Sequence, residues 1–256
     1  MRTRIDKLLV ERGLAPTRER AQAMILAGRV LANDQKVEKA GTTVDENSSI
    51  RLLGDDMPFV SRGGLKLQRA LEYWSIDCNQ KTGLDIGTST GGFTDCLLQH
   101  GAKQVIAVDT GYGQIDMRLR SDPRVRLLEK TNARYLEAGH VPEDIDIIVM
   151  DVSFISATLV LPAVLRSIRR GRPEHSRELI VLVKPQFEVG RELVGKGGIV
   201  RDPGVQQGAV EKVQATVVEL GGGDINVIDS PILGTEGNKE FLLHAVFGQS
   251  KDLKVE

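Results

Sequence analysis

The sequence is poor in cysteine. Cys78 and Cys96 are the only two among 256 residues, too few for a disulfide framework, so a reducing compartment, the cytoplasm, is the expectation. No C-x-x-C occurs, and His100, His140, His175 and His244 are scattered without metal-ligand spacing, so no metal is expected. Long apolar runs are missing as well: no segment approaches the roughly 20 residues that span a bilayer. The opening MRTRIDKLLVERG is charged throughout and does not read as a signal peptide. What remains is 41% apolar and 27% charged, the composition of an ordinary globular protein. The length allows one large domain or two smaller ones. A net charge of −1 hides how the charge is distributed.

Residues 1–53 form a block of their own. RIDKLLVERGL has helical apolar spacing and a glycine stop, and Thr17 caps a second helix, TRERAQAMILAG, that ends at Gly28. Short extended pieces follow, with turn chemistry at Asn33-Asp34 and Glu46-Asn47. Residues 2–29 carry seven bases (Arg2, Arg4, Lys7, Arg12, Arg18, Arg20, Arg29) against Asp6, Glu11 and Glu19, a net +4. Such a patch suits a nucleic-acid backbone as well as it suits a solvated helix face. The order of elements decides between them. Arg4-Ile5-Asp6, Thr17-Arg18 with Ala21, and Ile25 with Gly28, Val30 and Asn33 resemble the small RNA-binding domain first known from ribosomal protein S-four.

Residues 54–63 read as a linker, and GLKLQRALEYW as a helix after it. From Thr82 onward, strand and helix signals alternate. GLDIG, KQVIAVD, VRLLE, DIDIIVMD, ELIVLVKP, DINVIDS and FLLHAVF are near-continuous apolar runs separated by helical patterns. That pattern predicts a doubly wound α/β domain over residues 64–256, a seven-stranded, mostly parallel sheet with Rossmann-like topology.

The first of these strands leads into GTSTGGF, a turn that offers backbone N–H groups to a ligand. Gly87 to Gly92 has the spacing of a Walker loop, but Phe93 stands where its lysine must be. The dinucleotide fingerprint fails too, because Ser89 occupies the close-approach position. Asp85, just before the turn, would repel a pyrophosphate and attract an ammonium group. S-adenosylmethionine has an ammonium, a sulfonium and no phosphate. Asp109, 22 residues beyond Gly87, ends the next strand where a carboxylate accepts from both ribose hydroxyls. NAD would place an acid there too, so Asp85 and the departures from the fingerprint discriminate. Asn132 follows the third strand, where an adenine edge is read. The expected cofactor site is Asp85, Gly87, Thr88, Ser89, Gly91, Gly92, Phe93, Asp109, Asn132 and Asp151.

The fourth strand ends in Asp151-Val152-Ser153-Phe154, which lacks the prolines used to methylate exocyclic amines. Neither cysteine lies near it to serve a cytosine-carbon methylase. The fifth strand instead ends at Lys184, and lysine beside aspartate suits activation of an alcohol such as a ribose 2′-hydroxyl.

Residues 60–246 resemble the FtsJ-type RNA ribose 2′-O-methyltransferases, and with the N-terminal block the chain is identified as a member of the TlyA family. The motifs that carry this are Val60-Ser61-Arg62-Gly63 with Lys66, Asp85 through Asp95, Met150 through Ser156, Val183 through Gly190, Gly195 through Pro203, and Gly237 through Glu240. The resemblance implies a catalytic tetrad of Lys66, Asp151, Lys184 and Glu240, S-adenosylmethionine as methyl donor, and cytidine in 16S or 23S ribosomal RNA as acceptor. Lys184 would be the base if its pKa falls toward neutrality, or a charged stabiliser of the alkoxide. RNA contacts are expected from Arg4, Lys7, Arg18, Arg20, Arg29, Arg62, Arg191 and Lys196. The loop 185–203 has no evident secondary structure and is expected to close over RNA and cofactor. Two other functions stand beside this one. The first is a membrane-active haemolysin, a label the family carries, and the second is an inactive ribosome-assembly factor.

Overall fold

The structure, a computed structural model, describes residues 2–53, 57–168, 176–234 and 236–248, so His175 and the end of ATLVLPAVLRSIRRG, one of the helical patterns between the strands, lie outside the described residues. The chain divides into two compact units, Met1–Met57 and Pro58–Glu256.

The first unit contains β1 (Arg2–Arg4), α1 (Ile5–Glu11), α2 (Arg18–Leu26), β2 (Val30–Ala32), β3 (Gln35–Lys36), β4 (Thr43–Asp45) and β5 (Ile50–Leu52). Strands β1 and β4 pair antiparallel, and β2 lies between β3 and β5. Thr17 caps α2, accepting from the Arg20 N–H at 3.2 Å. Asn33 and Asp34 both have positive φ, the two-residue geometry that matches the twist of a tight hairpin, here between β2 and β3. Ile5 and Leu9 of α1 pack with Ala21, Met24 and Ile25 of α2 over Val30 and Ala32. One boundary differs from the sequence pattern: Arg4 pairs with Thr43 in β1, so α1 starts at Ile5.

The second unit begins before the expected linker ends. Phe59 is buried in the same apolar cluster as Leu67 and Phe93, so residues 58–63 belong to this unit, with Phe59 in its core. Its elements are α3 (Gly63–Tyr73), β6 (Thr82–Ile86), α4 (Gly92–Gln99), β7 (Gln104–Val108), α5 (Met117–Arg120), β8 (Val125–Leu128), β9 (Ile147–Met150), α6 (Ala157–Ser167), β10 (Arg177–Val183), α7 (Pro185–Glu188), α8 (Pro203–Glu219), β11 (Gly223–Asp229) and β12 (Phe241–Phe247). The seven strands run in the order β11-β12-β10-β9-β6-β7-β8. The β10-β9-β6-β7-β8 ladder is parallel, and β12 runs antiparallel between β10 and β11.

Strand alternation divides the core in two. Leu84, Ile86, Ile106, Leu179 and Val181 face α6 and α8, whereas Val105, Ile147, Val149, Ile180 and Leu182 face α3 and α4. The antiparallel strand has a consequence for function. Val183 pairs with Phe241, so the start of β12 lies at the same sheet edge as the ends of its parallel neighbours. Glu240 is thereby brought beside Lys184.

Candidate active site

The chain turns one way from β6 to β7 and the other way from β6 to β9, and a doubly wound sheet binds ligands at the carboxyl edge of that switch point. There the Gly87 backbone has φ +86°, and a Cβ on it would overlap the Asp151 carbonyl oxygen. Gly92 opens α4 so close to the start of α3 that a Cβ would meet Ser61 and the Gly64 nitrogen. Both glycines are needed because the backbones touch.

Two cavities adjoin over this turn. One, of about 280 Å³, is lined by Ser61, Arg62, Lys66, Thr88, Gly92, Phe93, Lys184 and Glu240. The other, of about 320 Å³, is lined by Asp109, Gln114, Thr131, Asn132, Phe154 and Val160. Gly87, Ser89, Asp151 and Ser153 border both. A third, of about 410 Å³, opens beside Lys184 and Glu240 and is walled by Phe154, Gln186, Phe187 and Glu236.

The four residues of the expected tetrad meet at the first cavity as two ion pairs. Lys66, on α3, places Nζ 2.5 Å from Glu240 Oε2. Lys184 places Nζ 2.5 Å from Asp151 Oδ1 and donates to Ser153 Oγ at 2.8 Å. Asp151 Oδ1 has no aligned hydrogen bond, so the Lys184 contact is one of charge with charge. Lys66 and Glu240 are buried, and the Lys184 side chain is 11% exposed. Two amines and two carboxylates in so dry a place are costly unless paired, and here both are.

In the second cavity Asp109 accepts from the Ser89 N–H at 2.7 Å and the Gly111 N–H at 2.6 Å, one on each oxygen. These bonds fix its carboxylate and leave lone pairs for a diol. Asn132 caps the 3₁₀ turn Ala133–Tyr135 through Oδ1, and its amide N–H₂ makes no hydrogen bond among the described residues.

Asp85 differs from expectation. It is fully buried and borders none of the three cavities. Strand alternation points it toward α4, where Oδ2 accepts from Thr94 Oγ1 at 2.6 Å and Oδ1 has no hydrogen-bond partner. Burial first, and the nearby Asp151 charge to a lesser degree, push its carboxyl up to about 7. Asp85 therefore meets a ligand's ammonium, if at all, through the field beneath the turn and not by contact. Thr88 likewise turns inward, its Oγ1 donating to the Asp85 carbonyl, and Gly91 has φ +97° at the α4 N-cap.

The loop 185–203 also differs. It contains α7, a 3₁₀ turn at Arg191–Leu193 and a bridge between Gly195 and Ile199. Asn238 fastens it, donating to the Gly198 carbonyl at 2.8 Å and accepting from the Val200 N–H at 2.9 Å. It is a built wall, not a free lid. Arg191 and Lys196 on it are exposed and border none of these cavities. Arg62 does border the first. In the first unit, Lys7 pairs with Glu11 at 3.5 Å, Arg29 Nε donates to the Leu53 carbonyl, and Arg20 is half-buried.

Several site residues escape a reading of the sequence alone. Ser153 and Phe154 lie in a conspicuous motif, but nothing in it shows that Ser153 holds Lys184 or that Phe154 has φ +64° and is 91% exposed. Phe154 and Phe187 stand with ring centroids 5.2 Å apart. At the far rim, Lys130 lies over Tyr112 and Arg134 over Tyr135, both tyrosines exposed.

Comparison with known proteins places both units in known families. Residues 59–247 match the FtsJ-like methyltransferase family and residues 3–50 the S4 domain. The chain is 42% identical over 243 residues to the 16S/23S rRNA (cytidine-2′-O)-methyltransferase TlyA of Mycobacterium tuberculosis, covering 94% of this chain and 89% of that one. The chain belongs to the TlyA family. Another relative, Hemolysin A of Brachyspira hyodysenteriae, is 37% identical across 95% of this chain and 99% of its own length. A solved structure from Streptococcus thermophilus whose name carries the hemolysin label aligns with TM-score 0.72 and 40% identity, over 97% of this chain and 90% of that chain. Within the TlyA family, then, this chain pairs an RNA-binding type of domain with a methyltransferase fold. Among its described residues, no helix is long and apolar enough to cross a membrane, and no three potential metal ligands cluster.

Proposed function

We propose that this protein transfers a methyl group from S-adenosylmethionine to the ribose 2′-hydroxyl of a cytidine in ribosomal RNA. The observation that carries the proposal is Lys184, held between Asp151 and Ser153 with Lys66 and Glu240 across the same cavity. The name of the mycobacterial relative supports both the reaction and the substrate.

The residues present fit the methyl donor. Asp109 offers a fixed carboxylate to a ribose diol, and Asn132 an amide to an adenine edge. The Gly87–Gly92 turn, packed against the Asp151 backbone and the start of α3, brings Gly87, Thr88, Ser89 and Gly92 to the wall of the first cavity. Bound S-adenosylmethionine supplies a methyl group on a sulfonium, which becomes a neutral thioether once the ribose oxygen has taken the methyl.

The tetrad's work is alignment and proton management. As an ammonium, Lys184 has three N–H groups: one is committed to Ser153, the Asp151 carboxylate lies beside the charge, and a further N–H holds the incoming oxygen. With Lys184 an ammonium, the Asp151 carboxylate is the acceptor for the hydroxyl proton, and the Lys184 charge stabilises the alkoxide as it forms. Lys66 and Glu240 line the same cavity as a second pair and help to fix the sugar, and such alignment supplies roughly 7–11 kcal/mol in favourable cases. The base enters the third cavity, where Phe154 and Phe187 offer a stacking face. Glu236 there accepts hydrogen bonds but cannot donate them, which suits the exocyclic amine of cytosine and opposes the O4 of uracil.

The test uses radiolabelled S-adenosylmethionine with separated ribosomal subunits. The unaltered protein is expected to label a ribose 2′-oxygen on a cytidine, and Lys184→Ala to lower transfer at least a hundredfold while binding the methyl donor normally. Label on a base carbon or amine would falsify the assignment.

A further inference from the structure

The seam between α1 and α2 is apolar except at one point. Ile5, Leu9, Ala21 and Ile25 pack there, and beside them sits Asp6, fully buried. Its carboxylate accepts four hydrogen bonds: Arg4 Nε at 3.0 Å on Oδ1, and Arg4 Nη2 at 2.9 Å, Arg18 Nε at 3.0 Å and Gln22 Nε2 at 3.0 Å on Oδ2. Hydrogen bonding from Arg4, aided by Gln22 and Arg18, holds the Asp6 carboxyl well below the usual carboxylate range.

A buried charge cluster is a poor way to glue two helices, because well-packed apolar side chains do it as well or better. What the cluster does achieve is orientation. Arg18 meets Asp6 through Nε, neither of its Nη groups makes a hydrogen bond among the described residues, and its side chain remains 51% exposed. Arg4 is likewise 47% exposed, with Nη1 uncommitted among the described residues. Two long side chains that would otherwise sample many rotamers are held as outward forks, and a planar fork pairs with a phosphate through two N–H groups at once.

We infer that Asp6 is a positioning residue for RNA recognition, orienting Arg4 and Arg18 as a ready-made clamp for the phosphodiester backbone. The inference deepens the proposed function and rests on its RNA substrate. It makes a prediction opposite to simple charge counting. Removing a carboxylate from a positive patch should strengthen RNA binding if only net charge mattered, and should weaken it if orientation matters.

The experiment measures binding of full-length protein to ribosomal subunits by filter retention without methyl donor, beside steady-state methylation. Asp6→Asn is expected to weaken RNA binding about tenfold, the equivalent of about 1.4 kcal/mol. It should raise the KM for RNA by the same factor and leave kcat within about twofold, because the tetrad is untouched. Arg18→Lys, which keeps the charge but loses the fork and leaves the apolar side chains of the seam and the Arg4–Asp6 pair in place, is expected to weaken binding similarly. Asp6→Asn added to Arg18→Lys should then cost much less than it does alone. Tighter binding by Asp6→Asn overturns the inference, as does wild-type affinity in Arg18→Lys. Should Asp6→Asn fail to fold, the Arg18→Lys result decides alone. If the unaltered protein binds subunits but transfers no methyl group, the enzymatic proposal fails while the clamp stands. If it binds no ribosomal RNA, the clamp fails too.

Discussion

Asp85 carries a charge problem that the rest of the site does not share. Lys66, Asp151, Lys184 and Glu240 are each paired with an opposite charge, but the fully buried Asp85 is met by Thr94 and by no opposite charge among the described residues. Its carboxyl is raised from 3.8 to about 7, so the folded state holds the proton more tightly than the unfolded chain does. The stability this proton contributes is complete below about pH 4, declines as the pH rises, and is gone above about pH 7. Asp85→Asn has no such proton to lose. The stability of the variant relative to wild type should therefore increase by a few kcal/mol between pH 5 and pH 8, read from urea unfolding at both pH values. A constant difference across that range would mean that Asp85 stays ionised in the fold. The sequence reading counts Asp85 in the cofactor site, whereas the structure turns its side chain toward Thr94 and away from the cavities. LDI lies in a strand buried on both faces, and with no polar side to mark the phase, nothing in the sequence says which way Asp85 points.

At the scale of elements, legibility followed the parallel ladder. Asp109, Asp151 and Lys184 each come directly after a strand, and parallel strands put their ends at one edge, so apolar runs alone bring the three together. Glu240 precedes its strand, and only the antiparallel pairing of β12 with β10 brings it to that edge. Family resemblance identified it where periodicity does not. The wall 185–203 was illegible for a different reason. Its pieces are four- and three-residue helices and a single bridge, too short to show a period, and the side chain that fastens them, Asn238, is some 40 residues away. The turn at Gly87 makes the strongest demand on one element. A Cβ there collides with the Asp151 carbonyl, and φ +86° disfavours any side chain. Gly87→Ala is expected to push β6 from β9 and deform the floor shared by both cavities. Affinity for S-adenosylmethionine should fall more than tenfold in a calorimetric titration, with the melting temperature lowered by several degrees. Normal affinity would show that the turn does not underlie the cofactor.

For the whole molecule, the two units divide the labour by charge as well as by packing. Residues 1–57 contain ten lysines and arginines against nine aspartates and glutamates, whereas the remainder contains 24 against 26. The catalytic unit is thus net −2 and the first unit net +1, with its bases gathered on the helical segment. A polyanion is drawn by local patches rather than by net charge, but a net-acidic enzyme acting on RNA needs a grip elsewhere. The cores are separable: each apolar cluster lies wholly within one unit, and all seven strands of the large sheet fall after residue 58. A fragment of residues 58–256 should therefore fold alone and bind S-adenosylmethionine within about threefold of the full chain, since uncoupled sites act additively. Its affinity for ribosomal RNA should drop at least tenfold. The dependence of that affinity on salt should also become shallower, because every phosphate that the fragment leaves unneutralised takes close to one unit off the logarithmic slope. Filter binding at several salt concentrations measures both. If the fragment grips RNA as tightly and as salt-dependently as the full chain, the arginines of the first unit contribute nothing, and the rim of the catalytic unit, with Lys130 on Tyr112 and Arg134 on Tyr135, must carry the RNA instead.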